Sequence, residues 1–214
     1  MSLGQHRSSQ IVRNKQKLRR IAYSTRNAQP DKEFISARIC AAFTALPEYH
    51  DAGTVLLYLS CRSEVRTRPT VGAALASGKR IAIPYCTVDN SSRHKLGLWW
   101  LESLDELVPG MWNILEPPKS RWGEPVKEID PQALDLIMVP GVAFDANAGR
   151  LGNGRGYYDR LLGELRSDCL AIGVGFETQI FEEIPMDRFD RYLDGVITEA
   201  NYYRGKGRGY DTAV

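Results

Sequence analysis

One stretch, residues 134–165, constrains the fold of this 214-residue chain more than any other. It begins with an apolar run rich in branched side chains (residues 134–139) that lies between two prolines, a pattern that predicts a buried parallel strand. A glycine-rich segment follows, and apolar side chains then recur at helical spacing over residues 157–165, which predicts a helix that begins near Gly156. A strand, a glycine-rich turn and a helix start, in this order, are the parts of an anion-binding site.

The glycine-rich segment also carries charges that suit phosphate. Arg150 and Arg155 place two guanidinium groups beside backbone N–H groups that glycines leave accessible. Asp145 and Asp159 flank the segment and could hold a metal ion that accompanies phosphates. The segment has neither the GxxxxGKS/T motif of a P-loop nor the GxGxxG spacing of a dinucleotide fold. A glycine-rich surface turn is the alternative, but two arginines, two aspartates and a tyrosine pair so close together favour a functional site.

The same segment resembles the signature of a known family. The sequences PGVAFD (residues 140–145) and GRLGNGRGYYDR (residues 149–160) are similar to those of 5-formyltetrahydrofolate cyclo-ligases, also called 5,10-methenyltetrahydrofolate synthetases. The resemblance extends over nearly the whole chain. It implies an ATP- and magnesium-dependent cyclisation of 5-formyltetrahydrofolate to 5,10-methenyltetrahydrofolate, with release of ADP and phosphate, through a phosphorylated formyl oxygen.

Strands alternate with helices along the chain, which predicts an α/β fold with a mainly parallel sheet. We expect a first strand at residues 54–59, a helix that opens within residues 60–67, and a second strand at residues 79–84. The resemblance implies a three-layer α/β/α sandwich of the NagB/CoA-transferase-like group. We expect a single domain over residues 1–214, with flexible ends at residues 1–10 and 204–214.

Composition argues against several classes of protein. The 28 basic and 26 acidic side chains give a net charge of +2, too balanced for a dedicated nucleic-acid binder. Four cysteines are scattered without a CxxC pair or metal-ligand spacing. No apolar run approaches the roughly 20 residues that span a membrane, and the polar start has no signal-peptide core. We therefore expect a reduced, soluble, cytoplasmic monomer that binds small molecules and has neither nucleic-acid nor membrane partners.

Residues 10–26 predict a basic amphipathic helix. Lys15 and Arg19 lie four residues apart and so share one face. From the segment alone, this face could be a solvated basic surface or an N-terminal arm for nucleic acid. The sequence KQKLR resembles a Lys-x-x-Leu-Arg pattern of the family, and this resemblance implies that Lys15 and Arg19 contact ATP phosphates. The apolar side chains that we expect on the buried face are Ile11, Leu18, Ile21 and Ala22.

Two further segments resemble the folate side of the family's site. Glu64 follows the first strand, where ligands of such sheets gather, although a glutamate in a first helical turn could instead compensate the helix dipole. The resemblance implies that Leu59 and Glu64 bind substrate, while Arg66 stands where the family has an acid. By the same resemblance, Trp112 lies against the flat folate rings, with Asn113 in place of a glycine.

The resemblance thus implies overlapping sets of site residues. The catalytic set is Arg150, Arg155 and Tyr158. The ATP-binding set is Lys15, Arg19, Arg150, Gly152, Asn153, Gly154, Arg155, Gly156 and Tyr157. The substrate-binding set is Leu59, Glu64, Trp112, Gly152, Gly154 and Tyr158. The magnesium ligands are Asp159 and Asp190, although an aspartate in a loop is usually a turn residue.

Other functions stay open at the level of sequence. A kinase or ligase of another small molecule would keep the fold and the ATP site, and the departures at Arg66 and Asn113 favour that alternative. A non-catalytic folate- or nucleotide-binding regulator is a second alternative, although it would have no need of the phosphate-site arginines. The glycine-rich, basic segment at residues 203–210 leaves nucleic-acid binding as a third.

Overall fold

The structure is a computed structural model that describes residues 3–89, 91–110 and 113–210, with side chains from Gln10 onward. The helices in these ranges are α1 (Leu3–Ala28), α2 (Lys32–Thr44), α3 (Pro47–Asp51), α4 (Arg68–Ala76) and α5 (Tyr157–Glu164). The strands are β1 (Thr54–Leu56), β2 (Arg80–Val88), β3 (His94–Leu101), β4 (Val108–Pro109), β5 (Leu115–Glu116), β6 (Leu136–Pro140), β7 (Ala143–Asp145), β8 (Arg150–Leu151), β9 (Leu170–Val174), β10 (Ile180–Phe181), β11 (Gly195–Ile197) and β12 (Tyr202–Arg204).

Seven of the described strands form one mainly parallel sheet in the order β12-β11-β9-β6-β1-β2-β3. The inner pairings are parallel, whereas β3 and β12 pair antiparallel at the two edges. The central strand β6 is the apolar run predicted from sequence, and it is buried on both faces. The prediction of an α/β fold with a mainly parallel sheet is therefore confirmed.

Helices cover both faces of this sheet. Phe43 of α2 and Val71 of α4 share one hydrophobic core with Met138 of β6. Leu161 of α5 belongs to a second core with Ile137, which points to the opposite face because successive strand side chains alternate. This is the expected three-layer arrangement. No helix in the described part of the chain is long and apolar enough to cross a membrane.

The segment after β1 differs from its prediction. Residues 60–67 form turns, and α4 begins only at Arg68, so this segment does not open a helix. The hydroxyl of Thr67 explains the difference, because it accepts a hydrogen bond from the Ser60 N–H (3.1 Å) and donates one to the Tyr58 carbonyl. Those two bonds close the turn segment on itself and hold it at the carboxyl end of β1.

Helix α1 is longer than predicted, and its buried face is different. Ala22 is fully buried, as expected, but Ile21 is 47% exposed. The other deeply buried side chains here are the cations Lys15 and Arg26. The reason is that α1 packs with Ala22 against Ala143 of β7 and Leu151 of β8, in a small three-stranded sheet with the order β10-β7-β8. Neighbouring loops supply oxygen atoms to the two cations.

The C-terminal segment also differs from its expectation of flexibility. Strand β12 extends the main sheet, and the Arg208 guanidinium donates to the main-chain carbonyls of Arg166 (3.0 Å) and Ser167 (3.2 Å). The same guanidinium lies 3.6 Å from the Asp194 carboxylate. The described part of the expected flexible end is therefore bound to the body of the protein, and residues 211–214 lie outside the described ranges.

Candidate active site

The glycine-rich segment begins as a hairpin of two short strands, β7 and β8. The Asp145 carboxylate shapes the turn between them, because its Oδ1 accepts hydrogen bonds from the N–H groups of Asn147 (2.9 Å) and Gly149 (2.8 Å). Its Oδ2 accepts a third bond from the Ile184 N–H at 2.8 Å, and the residue is 2% exposed. Asp145 thus has a structural role, and the sequence-based idea that it could hold a metal is corrected.

Arg150 lies in strand β8 and is 5% exposed. Its Nη2 donates to Asp159 Oδ1 at 2.9 Å, across to the first turn of α5. Its guanidinium lies 5.6 Å from the ring of Tyr158, a cation–π distance. A Cβ atom at Gly152 would come within 2.7 Å of the Arg150 Nη1, so a larger residue here would displace the tip of the Arg150 side chain.

Beyond Arg150 the segment turns through two left-handed glycines, Gly154 (φ 92°) and Gly156 (φ 66°), and Gly156 is the N-cap residue of α5. Asn153, Gly154 and Arg155 are exposed, so the turn is accessible to a ligand. The helix start predicted near Gly156 is confirmed.

An exposed histidine that the sequence analysis missed, His94, contacts the end of this segment from strand β3. Its Nε2 lies 3.4 Å from Arg155 Nη1, and its Nδ1 lies 3.2 Å from the Tyr157 hydroxyl. The Arg155 carbonyl in turn accepts a hydrogen bond from Arg160 at 2.6 Å. The tip of the β2–β3 hairpin therefore supports the rim of the glycine-rich segment.

Helix α1 reaches the same segment from the other side. Arg19 Nε donates to the Gly152 carbonyl at 2.8 Å, and the Tyr23 hydroxyl donates to the Asn153 side chain. Burial is the main influence on the pKa of Arg19 and lowers it, while the negative charge of Asp190 acts in the opposite direction. Arg19 thus lies next to the glycine-rich segment, as expected.

Lys15, one turn earlier on α1, lies between two carboxylates of the loop before β11. Its Nζ is 2.8 Å from Asp187 Oδ2 and also donates to Asp190. Burial acts to raise the pKa of both carboxyls. At Asp190 this effect is the larger one, so the pKa of Asp190 is raised. At Asp187 the hydrogen bonds from Lys15 and the Phe189 N–H outweigh burial, so the pKa of Asp187 is lowered. Asp187 was missed by the sequence analysis, although it stands three residues before Asp190.

Glu64 lies in the turn segment after β1, at the carboxyl edge of the main sheet. Its Oε2 accepts a hydrogen bond from the Cys61 N–H at 2.9 Å, and its side chain is 14% exposed. Burial raises the pKa of Glu64, although the Cys61 N–H and the Arg26 guanidinium counteract it. Burial also raises the pKa of Tyr158, and the nearby charge of Glu64 adds to this effect. The fold thus brings Glu64 close to the glycine-rich segment, and Leu59 is half-buried just before the turn.

The two departures from the family pattern have local explanations. Asn113 adopts a left-handed conformation (φ 60°) in the β4–β5 connection, and asparagine tolerates this region better than most non-glycine residues. Arg66 Nε donates to Glu33 of α2 at 3.1 Å, and its guanidinium also bonds to the Arg62 carbonyl. Trp112, expected to contact the folate, lies outside the described residues.

The two expected metal ligands lie at the same site but already have cationic partners. Asp159 pairs with Arg150, and Asp190 pairs with Lys15. Within the described ranges, no group of three or more His, Cys, Asp or Glu side chains converges as a metal cage would require. The two expected ligands are therefore two carboxylates that each lie beside a cation already.

Comparisons with known proteins agree with this geometry. The sequence model of the 5-formyltetrahydrofolate cyclo-ligase family matches residues 6–199. A probable 5-formyltetrahydrofolate cyclo-ligase of Schizosaccharomyces pombe is 34% identical over 79% of this chain and 86% of its own length, and the 5-formyltetrahydrofolate cyclo-ligase of Saccharomyces cerevisiae is 30% identical over 86% and 94%. The NMR structure of Aquifex aeolicus 5,10-methenyltetrahydrofolate synthetase matches with a TM-score of 0.74 and 32% identity, over 93% of this chain and 97% of that one. The chain belongs to the 5-formyltetrahydrofolate cyclo-ligase family.

Proposed function

We propose that the chain catalyses the ATP-dependent cyclisation of 5-formyltetrahydrofolate to 5,10-methenyltetrahydrofolate. The observation that carries this proposal is that the glycine-rich segment meets two different groups at one edge of the sheet. Arg19 of α1 bonds to Gly152 at its start, and the charge of Glu64 acts on Tyr158 at its end. One short segment thus adjoins a cationic region suited to phosphates and a carboxylate, Glu64, suited to a folate ring.

The phosphate half is the cationic side of this arrangement. Backbone N–H groups around Gly154 and Gly156 and the start of α5 suit phosphate oxygens, and Lys15, Arg19 and Arg155 add positive charge. We assign ATP binding to Lys15, Arg19, Arg150, Gly152, Asn153, Gly154, Arg155, Gly156 and Tyr157.

The folate half is the side of β1 and the turn segment after it. A carboxylate such as that of Glu64 accepts hydrogen bonds from ring N–H and amino groups, which a reduced pterin carries. Tyr158 and the half-buried Leu59 add apolar surface. We assign substrate binding to Leu59, Glu64, Trp112, Gly152, Gly154 and Tyr158.

In the proposed reaction, the formyl oxygen of the folate attacks the terminal phosphorus of ATP, and the bond from that phosphorus to ADP breaks. The N10 lone pair then attacks the formyl carbon, the carbon–oxygen bond breaks, phosphate leaves with the oxygen, and N10 loses its proton. Fixed positive charges offset the charge that develops on the transferred phosphoryl group, and the two halves of the site orient the reactants. Arg150, Arg155 and Tyr158 are the proposed catalytic residues.

We further propose that Mg²⁺ accompanies ATP, where it supplies neutralisation of phosphate charge. Asp159 and Asp190 would hold it. Magnesium commonly binds through one or two carboxylates together with substrate phosphates, rather than in an all-protein cage. Two carboxylates agree with that number of protein ligands, and on binding Mg²⁺ each would exchange its present contact with Lys15 or Arg150 for the metal.

The setting of the reaction is inferred from the same features. We propose that the protein acts as a monomer. The near-balanced charge of +2 supports small-molecule partners rather than nucleic acid. The described cysteines, Cys40, Cys61, Cys86 and Cys169, are all free, which supports a reducing compartment such as the cytoplasm.

The experiment that tests the function follows the absorbance of the methenyl product. Purified protein receives 5-formyltetrahydrofolate, ATP and Mg²⁺, and product should form only when all three are present. Arg19→Gln removes a proposed phosphate contact, and we expect kcat/KM for ATP to fall about 10- to 100-fold, the usual effect of losing one charged hydrogen bond. Arg20→Gln is the matched control, because Arg20 is its neighbour on α1 and is exposed.

Two other results would change the conclusion. If the parent forms product and Arg19→Gln is as active as Arg20→Gln, the proposed reaction stands but Arg19 is not part of the site. ATP consumption without methenyl product, stimulated by another small-molecule acceptor, would replace the cyclo-ligase assignment with a kinase or ligase.

A further inference from the structure

Arg26 is a buried cation that neither the sequence analysis nor the proposed reaction uses. It lies in the last turn of α1 and is 3% exposed. Arg26 stands seven residues after Arg19 and eleven after Lys15, a spacing that puts all three cations on one face of the helix. Removing a guanidinium from water is costly unless oxygen atoms replace the lost hydration, so the partners of Arg26 indicate what it does.

Those partners belong to two other segments of the site. Arg26 Nε donates to the Ser63 hydroxyl at 3.0 Å, in the turn segment that carries Glu64. Arg26 Nη1 donates to the Gly141 carbonyl at 3.1 Å, just beyond the end of β6. The Gly141 carbonyl also accepts from Gln179 Nε2 at 3.0 Å, which fixes its position. One guanidinium therefore joins α1 to the carboxyl ends of two adjacent parallel strands, β1 and β6.

Arg26 is also a counter-charge for Glu64. Its Nη1 lies 4.0 Å from Glu64 Oε1. The other charged or titratable groups that act on or respond to Glu64 are Cys61, Arg62 and Arg66 of the same segment, Tyr58 at the end of β1, and Tyr158 of α5. Arg62 is exposed and Arg66 is turned toward Glu33, so their charges are better screened by water than that of Arg26.

We propose that Arg26 is a positioning residue for the folate half of the site, which holds the Glu64 carboxylate ionised and fixed and ties it to the helix that carries Lys15 and Arg19. The inference rests on the proposed function, because it takes Glu64 as the folate ligand. A purely structural cation would need only the two neutral oxygen partners. The additional approach to a buried carboxylate gives Arg26 a role that a well-packed apolar side chain could not replace.

The test uses two substitutions at one position. Arg26→Gln removes the charge, and we expect KM for 5-formyltetrahydrofolate to rise about 10- to 100-fold, because the Glu64 carboxylate loses its nearby charged partner. KM for ATP should change by less than about threefold. In a plot of kcat/KM for folate against pH, the acidic limb should move to higher pH. The reason is that loss of a nearby positive charge makes the Glu64 carboxyl harder to ionise. Arg26→Lys keeps the charge without the planar fork and should recover part of the loss. Arg20→Gln on the exposed face of α1 is the control.

A double-mutant cycle with Glu64→Gln separates a positioning role from a structural one. If Arg26 acts through Glu64, then Arg26→Gln should have little further effect on folate KM once Glu64 is replaced. Thermal unfolding of all four proteins is measured in parallel, because a loss of stability is expected for either role.

The outcomes are distinguishable. If Arg26→Gln lowers only stability and kcat, and leaves both the folate KM and the acidic limb of the pH profile unchanged, the inference is overturned while the proposed reaction stands. Additive effects of Arg26→Gln and Glu64→Gln on folate KM would also overturn it. A parent protein that neither binds 5-formyltetrahydrofolate in calorimetry nor forms methenyl product removes the proposed function and the inference together.

Discussion

The Nζ atom of Lys15 lies 2.8 Å from Asp187 Oδ2 and is shared with Asp190, so one cation of α1 is held by two carboxylates of a single loop. The two aspartates are themselves linked, because the Asp187 N–H donates to Asp190 Oδ2 at 2.7 Å. An ammonium has three donors, but a phosphate that approaches Lys15 must compete with carboxylates already in contact with it. We therefore predict that the loop before β11 sets how strongly Lys15 attracts ATP.

Asp187→Asn removes one of these competing charges. The amide keeps an oxygen for the Phe189 N–H, which donates to Asp187 Oδ1 at 2.9 Å. We expect KM for ATP to fall about two- to fivefold, the effect of one partly exposed ion pair, with kcat nearly unchanged. Steady-state kinetics with varied ATP measure this. Asp168→Asn serves as control, since Asp168 forms an exposed ion pair with Arg166. A raised KM would show instead that Asp187 orients Lys15.

His94→Ala should weaken the support of the glycine-rich segment. The imidazole lies 3.4 Å from Arg155 Nη1 and 3.2 Å from the Tyr157 hydroxyl, so its removal takes one contact from each side chain. We expect KM for ATP to rise about three- to tenfold, while stability changes by less than about 0.5 kcal/mol because His94 is exposed. His50→Ala, at an exposed position of α3, is the matched control. Equal KM values in the two variants would remove His94 from the site.

The sequence predicted what local patterns determine. The strand β6 and the helix α5 could both be predicted, because the spacing of apolar residues differs between strands and helices and can be read from neighbouring residues. The contacts that complete the site come from distant parts of the chain. Arg26 and Ser63 are 37 residues apart, Arg155 and His94 are 61 apart, and Lys15 and Asp187 are 172 apart.

One error and one omission have a common physical origin. Ile21 was expected to be buried because it is apolar, and the burial of Arg150 and Arg26 was not predicted. In the fold, Ile21 is exposed while Arg150 and Arg26 are buried, since oxygen atoms of converging loops replace the hydration of the guanidinium groups. Polarity alone predicts burial poorly where a functional site supplies such partners.

Stability should depend on pH through Asp135, which lies immediately before β6. Its Oδ2 accepts a hydrogen bond from the Thr54 N–H at 2.7 Å, and its Oδ1 pairs with Arg166. Burial acts to raise the pKa of Asp135, but the hydrogen bonds from these partners have the larger effect, so the pKa in the folded state is lowered. A lowered folded-state pKa stabilises the protein above the ordinary carboxyl value of about 3.9, and the contribution is lost as pH falls through the folded-state value.

Asp135→Asn should therefore lower the free energy of unfolding by about 1–2 kcal/mol at neutral pH. The difference from the parent should shrink as pH falls below about 3.9 and the Asp135 carboxyl of the parent is protonated. Urea unfolding at a series of pH values measures this, with the exposed Asp105→Asn as control. A difference that stays constant over this range would mean that packing, not charge, explains the contribution of Asp135.

Arg208→Ala tests whether the C-terminal segment belongs to the folded body. The guanidinium donates to carbonyls at and beyond the end of α5, and its side chain is 10% exposed. We expect the free energy of unfolding to fall by about 2 kcal/mol, because buried carbonyl groups lose a charged donor. KM for ATP should stay unchanged, since the glycine-rich segment lies at the opposite end of α5. Arg204→Ala, exposed on β12, is the control. A stability loss no larger than that of Arg204→Ala would restore the expectation of a flexible end.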